Sequence, residues 1–220
     1  MAEAGRLPLV VMVGPTAVGK TEVAVQLAQA FNGVIISADS RQGYRQMDIG
    51  TAKPNRAARA AAPHRLVHIL DPAERLTLAE YQERGHAGID AAHRAGQLAM
   101  LVGGTGQYVR AVVEGWGIPR VPPQPALRAD LANFAAVYGA PALHGWLAAV
   151  GPQAAAGIDY RNVRRVVRAL EVYLVAGTPI SEVQARQAPP YAVLQIGFTR
   201  PRDALYARID ERIDRMVAAG

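Results

Sequence analysis

The sequence predicts an α/β protein: a parallel sheet with helices on both faces, interrupted by a helical insertion domain. Three observations predict it. Short apolar runs of strand length alternate with stretches of helical periodicity as far as residue 114. Residues 122 to about 190 then carry helical patterns alone. "AVLQIGFT" (192–199) returns to strand character before a last helical stretch.

Residues 7–13 form an apolar run that stops at Gly14, the length of a buried parallel strand. Helical periodicity follows over 20–31, with Val23, Leu27 and Phe31 on one face. "VIISA" (34–38) is the second strand and 66–70 the third. Thr77 opens a helix through "TLAE", a capping-box pattern with Glu80 at the third helical position, and the helix runs to about His93 before Gly96. "QLAMLVGG" is a further buried strand, and 105–114 the helix after it. "GWGIPRVPPQPALR" is rich in Pro and Gly and reads as a hinge. "RDALYARIDERIDRM" is the last helix. The chain thus divides into a core (1–115), a helical insertion (116–190) and a return to the core (191–220). "NRAARAAAP" is read as an alanine-rich patch.

At 220 residues the chain has room for one sizeable core and a small appended domain. It has no cysteine, which excludes disulfides and thiolate metal sites and makes a cytoplasmic setting the expectation. No apolar run approaches the ~20 residues of a membrane helix. The N-terminus lacks the charged region and cleavage site of a signal peptide. The net charge is +6, and only two of the 24 cationic residues, Lys20 and Lys53, are lysines. Arginine suits bidentate phosphate binding, but a coding bias toward Arg and Ala explains the composition equally well. The positions of the arginines decide.

"GPTAVGKT" lies between a strand and a helix, the context a P-loop requires, and makes the predicted core P-loop NTPase-like. Gly14, Pro15, Thr16, Ala17, Val18, Gly19, Lys20 and Thr21 compose it. Backbone N–H groups turn inward around phosphate oxygens, the helix N-terminus adds positive dipole, Lys20 adds a full charge, and Thr21 can hold Mg²⁺. Nucleotide hydrolysis also needs a carboxylate at the end of a nearby hydrophobic strand. The best candidate strand, "LAMLVGGTG", ends in glycines with no acid after it. The phosphate cradle is strong and the hydrolytic apparatus weak.

Asp39 directly follows the second strand, so it faces the same crevice as the P-loop. Alone it would be a loop-holding residue acting with Ser40 and Arg41; beside a P-loop it becomes a candidate general base. Asp48, in "MDIGT", reads as buried and structural, and Lys53 either adds charge to the site or is solvated. "GGTGQY" supplies a tight backbone and Thr105, whose hydroxyl can bond a ligand. In "RNVRRVVRALEVYL", Arg161, Arg164, Arg165 and Arg168 share one helix face, opposite Val163, Val166, Val167, Leu170 and Leu174. An ordinary solvated face would mix both signs, so the stripe suggests a phosphate-bearing partner, with Glu171 only flanking it. Arg202 lies at the mouth of the last helix and Arg208 within it, placed to clamp a diphosphate if that end approaches the P-loop. Arg212 and Arg215 stand among Asp210, Glu211 and Asp214 and read as surface ion pairs. His64 and His68 lack a third ligand for zinc, and Trp116 and Trp146 suit packing at least as well as base stacking.

Taken together, "GPTAVGKT", "SADSRQGYRQMDIGTAKP", "LVGGTGQYV", "NVRRVVRALEVY" and "RDALYARID" resemble the tRNA dimethylallyltransferase family over nearly the whole chain. The resemblance implies transfer of a dimethylallyl group from dimethylallyl diphosphate to N6 of adenosine-37, next to the tRNA anticodon. It implies that Gly14–Thr21 hold the donor diphosphate with Mg²⁺ as helper, and that Asp39 is the base for the adenine amine. It further implies that Ser40, Arg41 and Gln42 contact the flipped nucleotide and Thr105 the target base. Arg128 would lie at the tRNA or donor channel. Arg164, Arg165, Val166, Val167 and Arg168 would touch tRNA, and Arg202 and Arg208 would be the diphosphate arginines. The partners would be a tRNA anticodon stem-loop and the prenyl donor, with no membrane, and the expected state is a monomer.

Gly43, Gln46, His68 and Gln107 depart from residues usual in that family. The family also continues beyond "RMVAAG" with further helices, so the resemblance implies a chain without that part. Two competing expectations stand beside it. One is a small-molecule P-loop kinase in which Asp39 activates a hydroxyl, with ATP in the loop. The other is an inactive tRNA-binding fragment.

Overall fold

Alternation of apolar side chains along short strands, and helices that cover both faces of the sheet, build the frame. The computed structural model describes residues 5–219. In chain order it contains β1 (Leu7–Val13), α1 (Lys20–Ala30), β2 (Gly33–Ser37), α2 (Arg56–Ala61), β3 (His64–Arg65), α3 (Leu78–Arg94), β4 (Leu98–Val102) and α4 (Gly106–Val113). The helices α5 (Pro125–Tyr138), α6 (Ala140–Val150), α7 (Pro152–Ala156), α8 (Val163–Ala176) and α9 (Ile180–Val183) come next, then β5 (Tyr191–Gly197) and α10 (Arg202–Ala218). The residues up to Gly115 and those from Ala188 onward form one unit, and Trp116–Gln187 form a second.

In the first unit the strands are all parallel, in the order β3-β2-β4-β1-β5. Leu9, Val11, Val34, Ile36 and Leu101 point to one face and pack with Tyr81, Ile89, Val109 and Val112 of α3 and α4. Met12, Ile35, Met100 and Val102 point to the other and pack with Ala24 and Ala28 of α1. Because the central strands are parallel and adjacent, their carboxyl ends gather the loops after β1, β2 and β4 at one end of the sheet.

Most of the predicted elements form. Thr77 accepts from the Glu80 N–H at 3.3 Å, and the Glu80 carboxylate accepts from the Thr77 N–H at 2.8 Å, the reciprocal pair that "TLAE" predicts. The third strand is a correction. Pairing occurs at His64–Arg65 rather than 66–70, because Leu66 and His68 take positive φ (62° and 58°) and break the ladder. The alanine-rich patch is a helix, α2, started by Asn55, whose side chain accepts from the Ala58 N–H at 2.8 Å.

The second unit has its own core of Leu131, Leu143, Leu147, Val166, Leu170 and Val172. Proline opens α5 and α7, where a missing N–H is not needed, and Gly177 closes α8 in the left-handed conformation.

Candidate active site

The P-loop leaves β1 at Gly14, whose φ of 151° only glycine adopts readily, and an added Cβ there would sit 2.7 Å from the Phe198 carbonyl oxygen. Val18 anchors the loop with a side chain 4% exposed. Gly19 is the N-cap of α1 and supplies no side-chain cap, so the first-turn N–H groups remain free for an anion. The Lys20 ammonium donates to the carbonyls of Gly14 at 2.9 Å and Pro15 at 2.7 Å. Its burial lowers its pKa, against the opposing pull of Asp39 and with a smaller push from Arg212. Thr21 lines the same cleft.

Asp39 follows β2. One carboxylate oxygen, Oδ1, accepts from the N–H groups of Arg41 at 2.8 Å and Gln42 at 3.3 Å, holding the turn. No hydrogen bond among the described residues uses Oδ2. The turn-holding role thus occupies Oδ1 alone. Thr105 ties the loops after β2 and β4 together: its Oγ1 accepts from the Ser40 N–H and its own N–H donates to Ala38, both at 3.0 Å. Between them Gly103 approaches Ala38 so closely that a Cβ would lie 2.1 Å from the Ala38 oxygen. The resulting cleft, of about 1040 Å³, is lined by Gly14–Thr21, Asp39–Gln42, Gly103–Thr105, Lys53, Arg208 and Arg212. β4 runs into Gly103 and Gly104, so no carboxylate stands at its end.

The arginines of α10 are arranged differently from the expectation. Arg208 reaches the loop, donating through Nε to Ala17 at 3.0 Å, with Glu22 3.5 Å away. Arg202 does not line the cleft; its guanidinium lies over the Tyr206 ring at 5.7 Å. Arg212 takes the place at the loop instead, donating to Thr16 Oγ1 at 2.9 Å rather than pairing with the neighbouring acids. It is the residue the sequence analysis missed. Arg208 and Arg212 share one face by their four-residue spacing, which is the signal that would have found it. Burial lowers the Arg212 pKa, with Asp39 opposing. Arg215, as expected, pairs with Glu211 at 3.9 Å.

Lys53 is neither solvated nor a free charge. Its side chain is 2% exposed and its ammonium bonds Tyr44 O, Asp48 Oδ1 at 2.7 Å and His68 Nδ1 at 3.4 Å. Asp48 itself is exposed, and its carboxyl is held below the usual range mainly by that bond. Among the described residues no three His, Asp or Glu side chains converge as a metal-binding group.

In the second unit the predicted stripe separates into two kinds of residue. Arg164 and Arg165 are exposed, with no ion pair among the described residues. Arg161 is engaged by Asp159 at 2.6 Å. Val166 and Val167, expected among the tRNA contacts, are core residues at 0% and 7% exposure, as the apolar side of the helix requires. Leu174, placed on that apolar side, is 42% exposed. Glu171 does not flank the stripe but lies wholly buried, where it binds Arg128 at 2.7 Å and Arg168 at 2.6 Å. Trp146 packs edge-on against Phe134.

Comparison with known proteins adds to this geometry. The family model described as IPP transferase matches residues 42–220, and one described as Isopentenyl transferase matches residues 7–66. The chain is 58% identical to a tRNA dimethylallyltransferase of Chloroflexus aggregans, over 96% of this chain and 72% of that relative. A solved structure of the tRNA isopentenylpyrophosphate transferase of Bacillus halodurans matches 97% of this chain and 67% of its own, with 43% identity and a TM-score of 0.65. A eukaryotic dimethylallyltransferase solved acting on tRNA matches with a TM-score of 0.83 at 26% identity, over 97% of this chain and 54% of that one.

Proposed function

Since the chain belongs to the IPP transferase family, we propose that it transfers a dimethylallyl group from dimethylallyl diphosphate to N6 of adenosine-37 in a tRNA anticodon loop. The observation that carries this reading is a complete phosphate cradle beside an Asp39 whose Oδ2 is uncommitted, with no carboxylate at the end of β4. Such a cleft can hold a diphosphate and accept a proton, while the strand-end position from which a second acid would organise a hydrolytic water is taken by glycine.

The diphosphate lies against the free N–H groups of the loop and the start of α1, with Lys20, Arg208 and Arg212 around it. The adenine leaves its stack, at little cost in an anticodon loop, and meets the polar groups of Thr105 and of the Ser40–Gln42 turn. Its N6 forms a bond to the allylic carbon as the bond from that carbon to the diphosphate oxygen breaks. The amine proton passes to Asp39 Oδ2, and the departing charge is taken up by the cations already in place. The Thr21 hydroxyl is a hard oxygen donor on this cleft, which suits Mg²⁺ held largely by phosphate oxygens and water. Thr21 would hold that ion, which when bound neutralises diphosphate charge.

The test is transfer of labelled dimethylallyl from its diphosphate to an unmodified tRNA with adenosine at position 37. The reading expects labelled tRNA and competitive displacement of the donor by inorganic diphosphate. ATP-dependent phosphorylation of a small hydroxyl compound, without prenyl transfer, would replace it with the kinase.

A further inference from the structure

A carboxylate without solvent exposure inside an otherwise basic surface needs a reason. Glu171 is 0% exposed, and four donors use its oxygens. Oε1 accepts from Arg128 Nε and from the Gln124 N–H, both at 2.7 Å. Oε2 accepts from Arg128 Nη2 at 2.8 Å and Arg168 Nη1 at 2.6 Å. Arg168 Nη2 is held in turn by the carbonyls of Val121 at 3.0 Å and Pro119 at 3.4 Å. Burial alone would raise the Glu171 carboxyl; the donors overcome that and leave its pKa at about 2, so it stays charged. One carboxylate thus fixes two guanidiniums, and the trio retains a charge of about +1.

Arg128 is bound along one edge only. Its Nη1 has no hydrogen-bond partner among the described residues, and its side chain is 40% exposed. Arg168 continues along α8 to Arg164 and Arg165, one turn toward its N-terminus and free of ion pairs. We propose that Glu171 is a positioning residue for RNA: by gripping the Nε–Nη2 edge of Arg128 it aims Nη1 outward as a fixed donor to an RNA phosphate, in line with Arg164 and Arg165. This rests on the tRNA reading above. A rigid fork loses little freedom on binding, whereas a loose arginine must be ordered by the RNA.

The test measures binding of an unmodified anticodon stem-loop to the chain as a function of salt, together with the Michaelis constant for the prenyl donor. The variants are Glu171→Gln, Arg128→Lys and the pair combined. Circular dichroism first establishes that each is folded. Glu171→Gln and Arg128→Lys should each weaken stem-loop binding about five- to tenfold and leave the donor constant unchanged. The double variant should be no weaker than the worse single one, because both break the same fork. If Glu171→Gln does not fold, Arg128→Lys decides, since it keeps the charge on a half-exposed residue and removes only the fork. Wild-type binding in a folded Arg128→Lys, or additive losses in the double variant, overturns the proposal. Absence of stem-loop binding by the unmodified chain overturns the tRNA reading instead, which separates the two failures.

Discussion

Gly103→Ala should damage both stability and chemistry through a single carbon atom. The Cβ would sit 2.1 Å from the Ala38 oxygen and 2.3 Å from its carbonyl carbon, about 0.9 Å inside the 3.0 Å that real Cβ atoms keep. Backbone cannot rotate away as a side-chain tip can, so the loops after β2 and β4 must part. The bonds at stake are Ala38 N–H to Val102 at 2.8 Å, Thr105 N–H to Ala38 at 3.0 Å and Ser40 N–H to Thr105 at 3.0 Å. Overpacking of this kind costs about 1–3 kcal/mol. For a chain of this size that is a fall of roughly 2–12 °C in Tm. The same displacement carries Asp39 away from Thr105, and a misplacement of about 1 Å in a catalytic constellation costs on the order of a hundredfold in rate. Gly104→Ala is the matched control for stability, because its Cβ would meet nothing nearer than 3.7 Å. Thermal melts and single-turnover prenyl transfer on both variants give the comparison. A Gly103→Ala protein with the Tm and rate of the unmodified chain would refute the reasoning.

Arg212→Met removes a half-buried cation from the P-loop and should lower kcat/KM for transfer by roughly 30- to 1000-fold. The same change relieves Lys20 of a charge that depresses it, so the Lys20 pKa should rise in a titration followed by NMR. Arg164→Ala with Arg165→Ala should reduce the log–log salt slope of stem-loop binding by about 1–2 without moving the donor constant; an unchanged slope returns the stripe to plain solvation. Glu171 has a folded-state pKa depressed from 4.5 to about 2, so its contribution to stability is full above pH 4.5 and lost as pH falls toward 2. Urea melts should therefore show the unmodified chain losing more stability than Glu171→Gln over that window.

What the sequence made legible was whatever depends on neighbours along the chain. The P-loop, the capping box at Thr77 and the strand-to-Asp39 junction are set within a few residues, and the structure contains all three. Errors cluster where a distant partner decides. Arg212 has acids beside it in sequence, yet the approach of α10 to the P-loop gives it Thr16. Lys53 has the composition of a surface residue, yet a carbonyl, a carboxylate and a histidine enclose it. Glu171 reads from the sequence as a flank to the arginine stripe until α5 supplies Arg128. The helix α2 escaped notice for another reason: alanine carries helix propensity but no periodic apolar face to reveal it.

The central claim is that Asp39 Oδ2 takes the amine proton while Oδ1 holds the turn. Asp39→Asn isolates it, because the amide keeps an oxygen to accept from Arg41 and Gln42 and loses the basic site. Measured by single-turnover transfer to an unmodified anticodon stem-loop, the variant should bind the donor as before and react about 10²–10⁴ times more slowly. Transfer by Asp39→Asn at the unmodified rate would contradict the account.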